Sequence, residues 1–347
     1  MIATSTASGF TPRKRAMAAL FALGMLGSLA AACGSPSKSS AGGSSSGKQV
    51  VFIVPSEANP WQKGFNTTVV QGLEAKGYKV SYLQDEFSAA VQVQHFQQAI
   101  AQKPALIAFL AADANALDPS IAKAHAAGIP VIGLDGRSDP ASVPLLTSQI
   151  LANNTDLGTF AAQNIVEGLQ KEGLKTANVI AITGNTAQFV VQDRTAAFNA
   201  YMAKYPQYKV VATQDGQWDQ TKTQAIASQL FAEYSSKGGV QAAYGMADQQ
   251  AAGIIQAAQQ ANIPLGIDKK GGLLVTGSNC LKLGINNITA GLQYGTGTQA
   301  PVEEGKFVLQ NLLSYLQTGS IDNLLFAPEA RVTAANLDTY RAACSTA

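Results

Sequence analysis

Val50-Val-Phe-Ile-Val-Pro-Ser-Glu-Ala-Asn-Pro-Trp61 is the stretch on which the fold turns. Residues 50–54 are apolar without alternation, which marks a strand covered on both faces, the habit of parallel sheets flanked by helices. An α/β fold follows. Asn59 can cap a helix through its side-chain oxygen, and Pro60 suits the first helical position because its φ is already helical. The predicted helix, 60–76, therefore opens at the carboxyl end of the strand. Ligands of open α/β sheets bind outside those strand ends, and Trp61 stands at that mouth. Taken alone, such a Trp is more often a packing residue.

Outward from this stretch the chain alternates strand and helix. Gly77 stops the first helix; strand 78–83, helix 88–102, strand 105–111, helix 116–127 and strand 131–134 follow. A second series opens near Asn153: helix 157–170, strand 177–183, helix 187–204, strand 208–212, helix 220–233, strand 240–245, helix 248–261 and strand 273–276. Residues 288–294 read as one more strand, before a helix at 302–316. Gly128-Ile-Pro130 and Asn262-Ile-Pro264 end a helix by the same device in each series. Two βαβ series of similar size predict two similar, doubly wound parallel-sheet lobes.

Residues 1–48 read as no part of this fold. Arg13, Lys14 and Arg15 precede an apolar run, 16–32, that ends in small residues directly before Cys33, the layout of a secretory signal peptide. Leu29-Ala-Ala-Ala-Cys33 resembles a bacterial lipobox, which makes Cys33 the lipidated first residue of the mature protein, although the leucine sits four residues before it rather than three. The Gly/Ser-rich stretch up to Lys48 has almost no apolar surface and reads as a flexible tether. Removing residues 1–32 takes three of the 24 basic residues and none of the 22 acidic ones, which leaves a net charge of −1. With no basic stripe, nucleic acid is excluded as a partner. Cys280 and Cys344 remain as an even pair in an oxidising compartment, where a disulfide is expected. His95 and His125 show no ligand spacing, so neither a metal nor a cofactor is expected.

Several strand ends carry polar or aromatic groups: Asp135-Gly136-Arg137, Gln192-Asp193-Arg194, Gln217-Trp218-Asp219, Met246-Ala247-Asp248, Gly277-Ser278-Asn279 and Gln293-Tyr294. The chain has two tryptophans, and each lies just past a strand end in a different half. That coincidence favours a cleft role for both. Aromatic faces pack on the C–H faces of a sugar ring, while carboxylate, amide and guanidinium groups serve its hydroxyls.

On these residues the chain resembles the type I periplasmic binding proteins, specifically the ribose-binding family that serves ATP-driven sugar importers. The resemblance runs from Gln49 to the C-terminus. It is carried by Asn59-Pro60-Trp61, where the family has Asn-Pro-aromatic; by Ile129-Pro-Val-Ile-Gly-Leu-Asp135; by Asp193-Arg194 followed by Phe198; and by Trp218-Asp219. It implies a three-segment hinge, a signal peptide over 1–32, a tether over 33–48, a first lobe of 49–151 and 295–328, and a second of 152–294 and 329–347. The Cys280–Cys344 bond would then tie the tail to the second lobe. Ser56, Asn59, Trp61, Gln62, Asp135, Arg137, Arg194, Trp218, Asp248, Asn279, Gln293 and Tyr294 would contact a small neutral sugar or polyol. A monomer, anchored in the membrane outside the cell through Cys33, would deliver that ligand to an ABC permease. Departures stand at Gly136, Ala247, Asn279 and Tyr294, so ribose itself is not implied.

Three other readings compete. Ser56, His95 or His125, and Asp135 form a triad only on paper, and no nucleophile elbow, metal motif or phosphate loop accompanies them; Gly295-Thr-Gly297-Thr lacks a third glycine. An enzyme is not expected. Regulators of the lac-repressor type share the fold but carry a helix-turn-helix where this chain has its apolar run. An extracellular receptor that presents a sugar-like signal to a membrane sensor has the same architecture, and sequence does not separate it from an importer subunit.

Overall fold

The structure is a computed structural model and describes residues 48–345 apart from 114 and 268–270. The expected signal peptide, Cys33 and the tether up to residue 47 lie outside the described residues. Among the described residues no helix is long and apolar enough to cross a membrane.

The first lobe is built from β1 (Gln49–Val54), α1 (Pro60–Ala75), β2 (Lys79–Gln84), α2 (Ala89–Gln102), β3 (Leu106–Leu110), α3 (Asp118–Ala126), β4 (Val131–Asp135) and β5 (Ser148–Leu151). The apolar run places β1 inside the sheet, paired in parallel with β2 and β3, and residues 50–54 are fully buried. The chain then passes into the second lobe: α4 (Asn154–Lys171), β6 (Ala177–Thr183), α5 (Phe189–Met202), β7 (Tyr208–Asp215), α6 (Gln220–Tyr234), β8 (Ala242–Gly245), α7 (Asp248–Gln260), β9 (Leu274–Thr276), α8 (Lys282–Thr289) and β10 (Gly295–Gly297).

It returns to the first lobe for α9 (Pro301–Thr318) and β11 (Leu324–Phe326), and ends in the second with β12 (Arg331–Thr333) and α10 (Leu337–Cys344). The two six-stranded sheets have orders β11-β5-β4-β3-β1-β2 and β12-β10-β9-β8-β6-β7. Among the described residues all strand pairings are parallel except β10 with β12. The fold is thus α/β with two doubly wound lobes and three crossings between them. The late helix α9 belongs to the early core, since Val308 and Leu312 are buried with Phe65, Val69 and Leu73 of α1.

Two boundaries differ from expectation. Residues 288–294 are not a strand: α8 runs to Thr289, and its buried Ile285 and Ile288 have the i, i+3 spacing of a helix face. The strand comes later, at Gly295–Gly297, and belongs to the second sheet rather than opening the first-lobe segment at 295. A Cβ on Gly295 would lie 2.5 Å from the Val332 carbonyl oxygen, so this strand lies too close to its neighbour to admit a side chain there. The second crossing therefore falls after Gly297.

Candidate functional site

At α1 the expected cap is present: the Asn59 side-chain oxygen accepts from the Trp61 and Gln62 amides at 2.9 and 3.4 Å, with Pro60 in the first turn. This fixes Trp61 at the end of β1, where its ring stacks on Phe65 with centroids 4.9 Å apart. Its indole N–H donates to the Gln299 carbonyl at 2.8 Å. Trp218 lies across the cleft at the end of β7, and its N–H donates to Gln188 Oε1 at 2.7 Å. The ring covers Gly184, where a Cβ would sit 2.0 Å from Trp218 Cε2, so any side chain at 184 would displace it.

Seven of the expected residues line one cleft between the lobes: Asn59, Trp61, Gln62, Asp135, Arg194, Trp218 and Asn279. They meet Phe87, Gln188, Val190 and Gln299, which sequence reasoning missed. Arg194 is 1% exposed. Its Nε donates to Asn154 Oδ1 at 2.8 Å, Nη1 to Asn279 Oδ1 at 3.0 Å and to the Met246 carbonyl at 3.3 Å, and Nη2 to Gln299 Oε1 at 2.5 Å. Gln299 in turn donates to Asp135 Oδ1 at 2.7 Å. One amide on the second crossing thus bridges the guanidinium of one lobe and the carboxylate of the other. The free space between them is about 20 Å³, too little for a sugar ring, so a ring-sized guest requires Gln299 or the lobes to shift. Among the described residues, Gln62 Oε1 is buried there without a hydrogen-bond partner.

Backbone strain gathers in the same place. Nine non-glycine residues among those described have left-handed φ, and Phe87, Asp135, Trp218 and Asn279 of the cleft are four of them. Glu86, Gln217 and Cys280 are their neighbours. Such conformations each cost on the order of 1–3 kcal/mol and persist where the surroundings hold a side chain in a required direction.

The other expected residues stand elsewhere. Ser56 Oγ accepts from the Ala58 amide within the β1–α1 turn. Asp248, fully buried at the start of α7, accepts from the Leu281 amide at 2.8 Å, Gln293 Nε2 at 2.7 Å and Thr296 Oγ1 at 3.0 Å. Its acceptors are committed to holding loops, and Gln293 is one of its partners. Tyr294 hydroxyl bonds Glu167 and Lys171 on α4. Arg137 reaches outward to Asp193. Arg137 stands two residues beyond the end of β4, past Gly136.

Burial drives the electrostatics. It pushes Asp135 up to about 6 against the opposing Arg194 charge and the Gln299 donor. Burial likewise pushes Asp85 and Asp248 to about 7 and Glu329 to about 8. A carboxyl whose folded pKa exceeds its unfolded value favours the folded state most at acid pH, and that advantage is lost as pH rises through the folded pKa. Glu167 acts oppositely: its Lys171 bond lowers it to about 2, which favours folding above its unfolded pKa. On these groups stability should be highest near pH 4 and fall steadily as pH rises towards 8. Urea midpoints at pH 5.5 and 8.5 check this; an equal or higher midpoint at 8.5 would contradict it.

The periplasmic binding protein domain model matches residues 50–320. The chain belongs to this family. It is of the type I, ribose-binding-like kind, a family of solute-binding transport proteins and not of enzymes. The D-allose-binding periplasmic protein of Escherichia coli is 26% identical over 245 residues, 70% of this chain and 75% of that one. A D-apiose import binding protein of Actinobacillus succinogenes is 27% identical over 173 residues, 50% of this chain; the chain thus spans little more than half, 54%, of that relative's length. A Caulobacter myo-inositol binding protein, solved with myo-inositol bound, superposes with a TM-score of 0.77 at 18% identity over 85% of this chain and 96% of that one, a likeness of fold. In this binding protein the cleft, rather than the family name, must carry any statement about ligand.

Proposed function

We propose that this protein captures one neutral monosaccharide or sugar alcohol between two closing lobes and, as a lipid-anchored monomer, delivers it to an ABC importer. The observation that carries the reading is the pair of N–H-anchored tryptophans, one from each lobe, lining the same cleft as Asp135 and the buried Arg194. Charges of both signs face each other there, which suits a ligand without net charge. Asp135, Asn279, Gln62, Gln188 and Gln299 supply the mixed acceptors and donors that hydroxyls need. A guest that takes over the bonds Gln299 now makes to Arg194 and Asp135 contacts both lobes, and such differential contact favours closure. The import and allose- or apiose-binding descriptions of the relatives point the same way. Export and anchoring rest on the basic patch, apolar run and Cys33; mass spectrometry of membrane-extracted protein with an unmodified Cys33 would remove that part.

Thermal-shift screening of the mature chain against D-ribose, D-allose, D-apiose, myo-inositol and related pentoses, hexoses and polyols tests the ligand class. A true ligand at 100 times its Kd adds about 2.7 kcal/mol to stability. Trp218→Ala should weaken the best binder by about 2 kcal/mol, as loss of a buried aromatic anchor does. Unchanged affinity in that variant, with only a lower melting temperature, would end the cleft assignment.

A further inference from the structure

We propose that Arg137 and Asp193 form a clasp across the mouth of the cleft that holds the lobes closed without touching the ligand. Arg137 follows β4 in the first lobe, and Asp193 lies on α5 in the second. Arg137 Nε reaches both carboxylate oxygens of Asp193, at 2.9 and 3.1 Å. Its guanidinium carbon stands 3.7 Å from the Phe189 ring centroid, one helical turn before Asp193, so the cation is held by charge and by an aromatic face together. The contact requires the lobes to meet closely, and Gly136 provides for this: a Cβ there would lie 2.7 Å from Val190 Cγ1 of α5. A second strap lies beside it, since Gln188 Nε2 donates to the Ala111 carbonyl of the first lobe at 2.9 Å.

Every one of these partners lies on the opposite lobe, so all are lost when the lobes separate and regained when they meet. Arg137 is absent from the residues lining the tryptophan cleft; with Gly136 and Phe189 it lines the adjoining pocket, and Val190 stands between the two. The side chains of Arg137 and Asp193 are 38% and 26% exposed, so the clasp is open to screening by salt. It sets how often and how long the lobes are closed, and with that the residence time of whatever lies between them. The inference rests on the lobes moving as proposed above, but not on the ligand being a sugar.

Spin labels at exposed Lys63→Cys and Lys222→Cys, one on each lobe, report the interlobe distance in the mature chain without added ligand. Arg137→Ala and Asp193→Asn should each lower the closed-to-open ratio about fivefold, and 1 M salt should bring the parent protein close to them. The reversal Arg137→Asp with Asp193→Arg should recover most of the loss. Gly136→Ala should open the lobes without changing any charge. A distance distribution that is the same in parent and Arg137→Ala protein would overturn the clasp. Addition of D-allose, D-ribose or myo-inositol is a separate arm: failure of every sugar to shift the parent distribution counts against the ligand class alone. With a sugar that does bind, Arg137→Ala should speed release about fivefold and leave the order of preference among sugars unchanged. A changed order would make Arg137 a ligand contact and end the proposal.

Discussion

Arg194→Ala should be the most damaging single truncation in the cleft, costing about 3–5 kcal/mol of stability as well as ligand binding. Sequence reasoning places Arg194 among the ligand contacts, a group that waits for sugar. The structure instead commits its donors to Asn154, Asn279, Gln299 and the Met246 carbonyl, with Asp135 nearby. Removing the cation leaves the Asp135 carboxyl, and the buried Glu304 that Asp135 repels, without the positive charge that now opposes their rise in pKa. Breaking a buried charge arrangement from one side is costly for this reason. Arg194→Lys keeps the charge but cannot reproduce a planar fork aimed at four acceptors, so it should recover only part of the loss. Urea denaturation of both variants near pH 7 is the measurement; a midpoint unchanged in Arg194→Ala would show that the network is incidental to the fold.

The second large effect concerns the tail. Cys280 and Cys344 are fully buried with Cα atoms 4.9 Å apart, within disulfide reach, in a small core shared with Ile285, Ile288, Val332 and Leu337. Closing a loop with a sequence separation of 64 should stabilise by about 4 kcal/mol in the chain-entropy model. Cys344→Ser and the reduced parent protein should therefore show similar, markedly lower urea midpoints. Two titratable thiols in the denatured, unreduced protein would exclude the bond.

The large features were legible because they are local or periodic. The unbroken apolar run of β1, the Asn59-Pro60 helix start and the paired βαβ series each state their structure within a dozen residues. Not every short strand was legible, although β9, with three residues, falls within the expected 273–276. β5, β11 and β12 are three or four residues long and take their identity from distant partners; Leu324–Phe326 pairs with residues 149–151. The site divided along the same line. Residues at the tips of clearly periodic strands, such as Trp61, Asp135 and Trp218, were found.

Asp248, Gln293 and Tyr294 also follow strand-like stretches, yet their partners are loops and α4 rather than the cleft. Phe87 and Gln299 could not be reached by periodicity. Phe87 enters through a left-handed turn, and Gln299 sits on a crossing whose position depended on the misread strand at 288–294. The Thr298-Gln-Ala-Pro301 step into a helix was the one signal available, since a Pro at a helix start repeats the Asn59-Pro60 pattern.

The return of α9 and β11 to the first lobe also sets an order of events during synthesis. The β1–β5 portion is complete at Leu151, but the helix that covers α1 and the edge strand that pairs with β5 end only at Phe326. At ordinary translation rates of about 5–20 residues per second, the stretch 152–326 takes roughly 10–35 s to make. Through that interval Phe65, Val69 and Leu73 lack their native cover, so the first half of the chain cannot lock before the second half exists. A nascent chain that stays unlocked in this way is one that an export channel, which threads extended polypeptide, can still accept.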